Sequence, residues 1–127
     1  MGVRETILIV DDDSALRRMY RAALILEGYQ VEEAADGYEA LVSIEQHTPH
    51  LIVLDVEMPR VDGLSVQKEI AANAFTRDIP IVIVTGSGTS LTNVSVACAL
   101  RKPVAPDDLV LTVAACLSNR APDTLSA

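Results

Sequence analysis

Four apolar runs along the chain stop at polar residues. Ile7 to Val10 (ILIV) runs into Asp11, Asp12 and Asp13, and Leu51 to Leu54 (LIVL) into Asp55. Ile81 to Val84 (IVIV) stops at Thr85, and a weaker run precedes Lys102-Pro103. Short runs rich in β-branched residues read as strands buried on both faces, as in a parallel sheet. Between them the apolar positions change to helical spacing. The pattern predicts a strand over Thr6–Val10 and a helix from about Ser14 to Glu27, with Leu16, Met19, Tyr20, Ala23 and Leu24 inward. Asp13 or Ser14 can cap that helix and Gly28 can end it. Then come a strand over Tyr29–Ala34, a helix over Gly37–Gln46 (Ala40, Leu41 and Ile44 inward), and a strand over His50–Leu54 after Pro49. A helix over Leu64–Asn73, a strand over Ile79–Val84 and a last helix from Ala105-Pro106 to about Ser118 complete the series. The last helix has proline in its first turn and Asp107-Asp108 at its positive end.

This alternation predicts an α/β fold: a doubly wound, five-stranded parallel sheet with helices on both faces. Such sheets bind ligands at the carboxyl ends of their strands, where the polar residues above would collect. One connection is short. The sixteen residues Gly86 to Arg101 must hold a strand of roughly five residues and two turns. GSGTSLTNVS is made largely of weak helix formers. A loop or stub is expected where another full helix would fit.

At 127 residues the chain is most simply one domain, expected over 1–120, with 121–127 a disordered tail. Half the residues are hydrophobic, but only Phe75, Tyr20, Tyr29 and Tyr38 are aromatic, so the core must be aliphatic. The net charge of −8 argues against direct nucleic-acid binding and suits divalent cations. Cys98 and Cys116 have no C-x-x-C spacing and read as reduced, small hydrophobes. No apolar run reaches the roughly 18 residues of a membrane span, and MGVRET lacks the apolar stretch of a signal peptide. A cytoplasmic location without membrane attachment is expected.

Clustered carboxylates repel unless a cation joins them or their pKa values rise. A hard cation such as Mg²⁺ takes oxygen ligands and keeps several waters. Asp12 and Asp55 could supply carboxylates, Asp11 could hold a coordinated water, and the Glu57 backbone carbonyl lies close enough in sequence to help. One carboxylate could then attack phosphorus to form an acyl phosphate. Phosphoryl transfer needs positioning and charge compensation. Lys102 could supply the latter as a point charge, and the Thr85 hydroxyl could donate to a phosphoryl oxygen.

Taken together, ILIVDDD, LIVLDVEMPRVDG, IVIVTG and RKP, in that order and spacing, resemble the receiver domain of two-component response regulators over essentially the whole chain. The resemblance implies a flavodoxin-like sheet in strand order 2-1-3-4-5. It implies Asp55 as phosphoacceptor, served by a histidine kinase or histidine phosphotransfer protein, and Asp11 and Asp12 as the metal-binding pair. It makes Thr85 the switch hydroxyl, Lys102 the phosphate-sensing lysine, and the bond before Pro103 cis. Met58-Pro59 and Asp62-Gly63 match the turn after the phosphoacceptor strand. Such a domain catalyses its own phosphorylation and dephosphorylation but has no metabolic substrate. Two departures stand out: Ala99 occupies the place of the family's swinging aromatic residue, and the helix between strands four and five is short or absent.

Other readings stand beside these. Asp13 is a helix cap or a third metal ligand. His47 and His50 are surface residues, or else metal or relay groups. Arg17, Arg18 and Arg21 form a solvated face or a docking face for a kinase. GSGTS lacks the lysine of a phosphate-binding loop. The last helix is too apolar for one buried stripe, which suggests a homodimer or partner surface with strand five. Two rival functions are a phosphorylation-independent interaction module and an aspartate-nucleophile phosphatase of the haloacid dehalogenase type. The latter uses Asp11-x-Asp13 and leaves Asp55 without a purpose.

Overall fold

The computed structural model describes residues 4–56, 63–74, 76–86 and 98–118. Its elements are β1 (Thr6–Val10), α1 (Ser14–Leu26), β2 (Gln30–Ala34), α2 (Gly37–Gln46), β3 (Leu51–Asp55), α3 (Gly63–Ala72), β4 (Ile81–Thr85), β5 (Cys98–Arg101) and α4 (Pro106–Ser118). The strands pair in parallel in the order β2-β1-β3-β4-β5. Successive side chains of a strand face opposite sides of a sheet, and this parity builds two cores. Ile7, Ile9, Leu51, Val53, Val82 and Val84 pack with Tyr20 and Leu24 of α1 and with Leu109, Val113 and Cys116 of α4. Leu8, Val10, Ile52, Leu54, Ile81 and Ile83 pack with Ala40 and Ile44 of α2 and with Val66 and Ile70 of α3. Right-handed crossovers explain the assignment. The chain moves one way along the sheet from β1 to β2 and the other way from β2 to β3 and β4, so α1 lies on one face and α2 and α3 on the other. The direction reverses between β1 and β3, the position where such sheets form a crevice.

Element ends differ from the sequence expectation by one or two residues, each for a local reason. α1 stops at Leu26 because the next three residues form its C-terminal turn. The Gly28 N–H donates to Ile25 O at 2.9 Å and the Tyr29 N–H to Leu24 O at 3.2 Å, with Gly28 at φ 97°, the left-handed position that favours glycine. β4 starts at Ile81 because Pro80 has no N–H for the ladder, although its carbonyl accepts from Ile52 N at 3.0 Å. β3 extends through Asp55, which pairs with Val84. The polar residue therefore occupies the last rung of the ladder itself.

At the start of α1, Asp13 Oδ1 accepts from Ala15 N at 2.9 Å and Leu16 N at 3.2 Å. Asp13 is the helix cap and stands apart from the acidic cluster formed by Asp11, Asp12 and Asp55. Cys98 is half-buried, Cys116 is buried, and both are free thiols. Burial and a hydrogen bond with Cys98 push the Cys116 thiol up to about 12. Among the described residues, no helix is long and apolar enough to cross a membrane. Three expectations fall outside the described residues: the shortened helix within 87–97, the turn over 57–62, and the tail 121–127.

Removing the cap should cost stability and leave the acidic cluster intact. Asp13→Ala is expected to lower the unfolding free energy by about 1 kcal/mol and Asp13→Asn by only a fraction of that. Urea denaturation measures both, and equal losses would show that the carboxylate charge matters more than the acceptor.

Candidate functional site

Four strand ends supply the site, and each side chain is held by its backbone. Asp11 follows β1, and its N–H donates to Ala34 O of β2 at 3.1 Å. Its carboxylate is 2 % exposed; Oδ1 accepts from Asp13 N at 2.9 Å, and Oδ2 lies 3.5 Å from Lys102 Nζ. Asp55 ends β3, is 1 % exposed, and accepts from Lys102 Nζ at 3.2 Å through Oδ2. Thr85 ends β4 and is buried. Its carbonyl accepts from Lys102 N at 2.8 Å, which ties the two chain segments together at the site. Lys102 follows β5, one quarter of its side chain is exposed, and its bond to Pro103 is cis, as the resemblance implies. Asp12 is exposed beside them. Each of Asp11, Asp12 and Asp55 offers a carboxylate oxygen within 4.8 Å of the others. Glu57 lies outside the described residues.

The electrostatics follow from this crowding. Burial raises the Asp11 carboxyl above the ordinary carboxylate range, with Asp55 and Asp12 adding to the rise, against the lowering effects of the Asp13 N–H and Lys102. Burial alone would lower Lys102, but Asp11 and Asp55 outweigh it and hold the ammonium above the ordinary lysine value. One ammonium thus pairs with two carboxylates of a cluster of three. The set has unspent negative charge, oxygen donors only, and one member open to solvent. These are the requirements of a hard divalent cation that keeps its waters.

Two contributors escaped the sequence reading. Arg17 belongs to neither a free solvated face nor a free docking face. Its NH1 donates to Asp11 O at 2.6 Å and its Nε to Glu33 Oε1 at 3.0 Å, so it braces the β1–α1 junction behind the acidic pair. Arg21 lies 3.6 Å from the same Glu33, and Arg18 is exposed. The available signal was Glu33, a carboxylate on β2 one position before the strand end, next to the start of α1. The second contributor is Tyr20, expected as core. It is core, but its hydroxyl is buried without a hydrogen-bond partner among the described residues. The histidines lie elsewhere. The exposed His50 accepts from Thr6 N through Nδ1 at 2.9 Å, at the amino edge of the sheet, and His47 is exposed 3.9 Å from Glu32.

Known proteins carry the same architecture. The family model for the response regulator receiver domain matches residues 7–114. A response regulator MprA from Mycobacterium sp. (strain KMS) is 39% identical over 122 residues, covering 92% of this chain and 52% of that protein. The Mycobacterium leprae MprA is 38% identical over 92% of this chain and 53% of its own length. The chain therefore spans about half the length of the curated relatives it matches. Among solved structures, the Vibrio cholerae chemotaxis protein CheY4 superposes with a TM-score of 0.84 at 29% identity, covering 90% of this chain and 99% of that one. A CheY-like receiver domain protein from Methanospirillum hungatei gives 0.86 at 28% identity, covering 93% and 97%. With its strand order, its acidic edge and this family match over most of its length, the chain belongs to the response regulator receiver domains of two-component systems.

Proposed function

We propose that this receiver domain accepts a phosphoryl group on Asp55 from a histidine kinase or histidine phosphotransfer protein, acts with Mg²⁺ in the cytoplasm, and relays the signal through altered protein contacts. The observation that carries this reading is the Lys102 ammonium placed 3.2 Å from Asp55 and 3.5 Å from Asp11 at the sheet edge. A nucleophile there has a fixed cation ready for the charge that transfer brings to it.

In the transfer, an Asp55 carboxylate oxygen forms a bond to phosphorus while the phosphorus–nitrogen bond of a phosphohistidine breaks. The electron pair leaves with the imidazole nitrogen, which takes up a proton from solvent. Lys102 pairs with one phosphoryl oxygen, and the Thr85 hydroxyl donates to another. Asp12, Asp55, the Glu57 carbonyl and, through water, Asp11 would hold Mg²⁺, which supplies neutralisation of the phosphoryl and carboxylate charge. The reaction demands little proton chemistry from the protein, so rigid placement by four strand ends is the chief catalytic contribution.

The output surface we assign to β5 and α4. Ala99, Ala114 and Ala115 are exposed there, and Leu111 is 68 % exposed. Contiguous exposed apolar residues mark interfaces, and a second copy of the chain would cover them. Ala99 has no ring to swing, so phosphorylation must reach this surface through the backbone that joins Thr85 to Lys102.

Incubation with phosphoramidate and Mg²⁺ is expected to add one phosphoryl mass by intact-protein mass spectrometry, and Asp55→Asn to abolish it. A phosphoryl adduct that persists in Asp55→Asn would refute the assignment.

The raised Asp11 carboxyl gives a pH signature. The folded state binds this proton more tightly than the unfolded state. Its contribution to stability is therefore present below the unfolded pKa and is lost as pH rises through the folded one. In chelated buffer, wild type should lose stability across that window relative to Asp11→Asn. Mg²⁺ should restore more stability at neutral than at acidic pH, and Asp11→Asn should weaken Mg²⁺ affinity by roughly 10–100-fold. Parallel urea curves for both proteins at both pH values would contradict the assignment.

Sedimentation should detect a larger species when beryllofluoride and Mg²⁺ are added at high protein concentration. A monomer under both conditions would count against the dimer surface.

A further inference from the structure

The acidic pair leaves the sheet after Val10, the last rung that β1 shares with β2 and β3. Beyond that rung the backbone of Asp11 needs partners outside the ladder. Its N–H reaches Ala34 O at 3.1 Å, and its carbonyl accepts from Arg17 NH1 at 2.6 Å. That carbonyl belongs to the planar Asp11–Asp12 peptide, so the guanidinium helps to fix the direction in which Asp12 leaves the strand. The other two carboxylates of the cluster are tied directly. Asp11 Oδ1 accepts from Asp13 N at 2.9 Å, and Asp55 Oδ2 accepts from Lys102 Nζ at 3.2 Å. Asp12 is exposed, and among the described residues no such bond holds its carboxylate. Its place within 4.8 Å of the other two oxygens therefore comes from its backbone.

The guanidinium is itself held. Arg17 Nε donates to Glu33 Oε1 at 3.0 Å, the Arg17 side chain is only 15 % exposed, and Glu33 stands on β2 opposite Ile9. One planar group thus spans a strand carboxylate and a loop carbonyl through two different nitrogens, which a compact lysine ammonium cannot reproduce. Charge alone would argue against it, because a positive group behind a cation site repels the cation. Any benefit of Arg17 to that site must therefore come through position. We propose that Arg17 is a positioning residue for the divalent cation: through the Asp11 carbonyl it sets the Asp12 carboxylate toward Asp11 and Asp55, and Glu33 sets Arg17. The inference rests on the reading of that cluster as the Mg²⁺ site. Charge and position predict opposite signs. Loss of a nearby positive charge would tighten Mg²⁺ binding, whereas loss of the brace weakens it.

The test is a calorimetric Mg²⁺ titration of wild type, Arg17→Met, Arg17→Lys and Arg21→Met, with circular dichroism to check that each is folded. Arg17→Met should weaken Mg²⁺ binding by about tenfold, the scale for losing a group that orients a metal ligand. Arg17→Lys keeps the charge and should lie between Arg17→Met and wild type. If Arg17→Met fails to fold, Arg17→Lys decides: weaker binding supports the inference and unchanged binding overturns it. Arg21→Met removes a charge 3.6 Å from the same Glu33 and should leave the affinity within about twofold. The initial rate of phosphoryl addition from phosphoramidate should fall in Arg17→Met at limiting Mg²⁺ and return to the wild-type rate at saturating Mg²⁺, as a loss confined to cation binding requires. Unchanged or tighter Mg²⁺ binding in Arg17→Met would overturn the inference while leaving the acidic cluster as the cation site. A wild type that binds no Mg²⁺ would overturn both readings together.

Discussion

One ammonium shared between two buried carboxylates holds the site together. At a separation near 4 Å, a unit charge pair is worth about 4 kcal/mol at an effective dielectric of about 20. The two attractions that Lys102 makes with Asp55 and Asp11 are thus comparable in size, and together they exceed the repulsion between those two carboxylates. Asp12 remains outside this arrangement and open to solvent, which leaves a carboxylate that a further cation could engage.

The sheet exists, in functional terms, to bring those groups to one edge. Parallel pairing places every carboxyl end on the same side, and the reversal between β1 and β3 sets Asp11 beside Asp55. Backbone bonds then take over where the ladder stops: Asp11 N to Ala34 O, and Lys102 N to Thr85 O. The second of these joins the ends of β4 and β5 by a hydrogen bond at the residue that carries the ammonium. Under the proposed function, a shift of Thr85 would reach the exposed β5–α4 surface through this bond, without an aromatic relay. Tyr20 belongs to the core shared by α1 and α4 and lines a cavity with Lys102.

Much of this was legible along the chain. The element types, the α/β class and the residues Asp11, Asp12, Asp55, Thr85 and Lys102 follow from where apolar runs stop, because a strand's end in a parallel sheet is both a packing boundary and a ligand edge. Element ends were less legible. Whether Asp55 lies on the last rung or just beyond it depends on its pairing with Val84, a residue 29 positions away in sequence. The role of Arg17 was invisible for the same reason. A charged residue on a helix looks solvated until a neighbouring strand presents a carboxylate to it, here Glu33, and a freed carbonyl, here Asp11.

Local propensity and hydrophobic period alone determined that these strands and helices form, and in what order, since both depend on near neighbours. Only the tertiary structure decided which charges share a proton donor, which helix shares a core with the site, and that the Tyr20 hydroxyl lies buried and unmatched among the described residues. Those outcomes depend on desolvation and on distances between segments, and neither is written in any one stretch of chain.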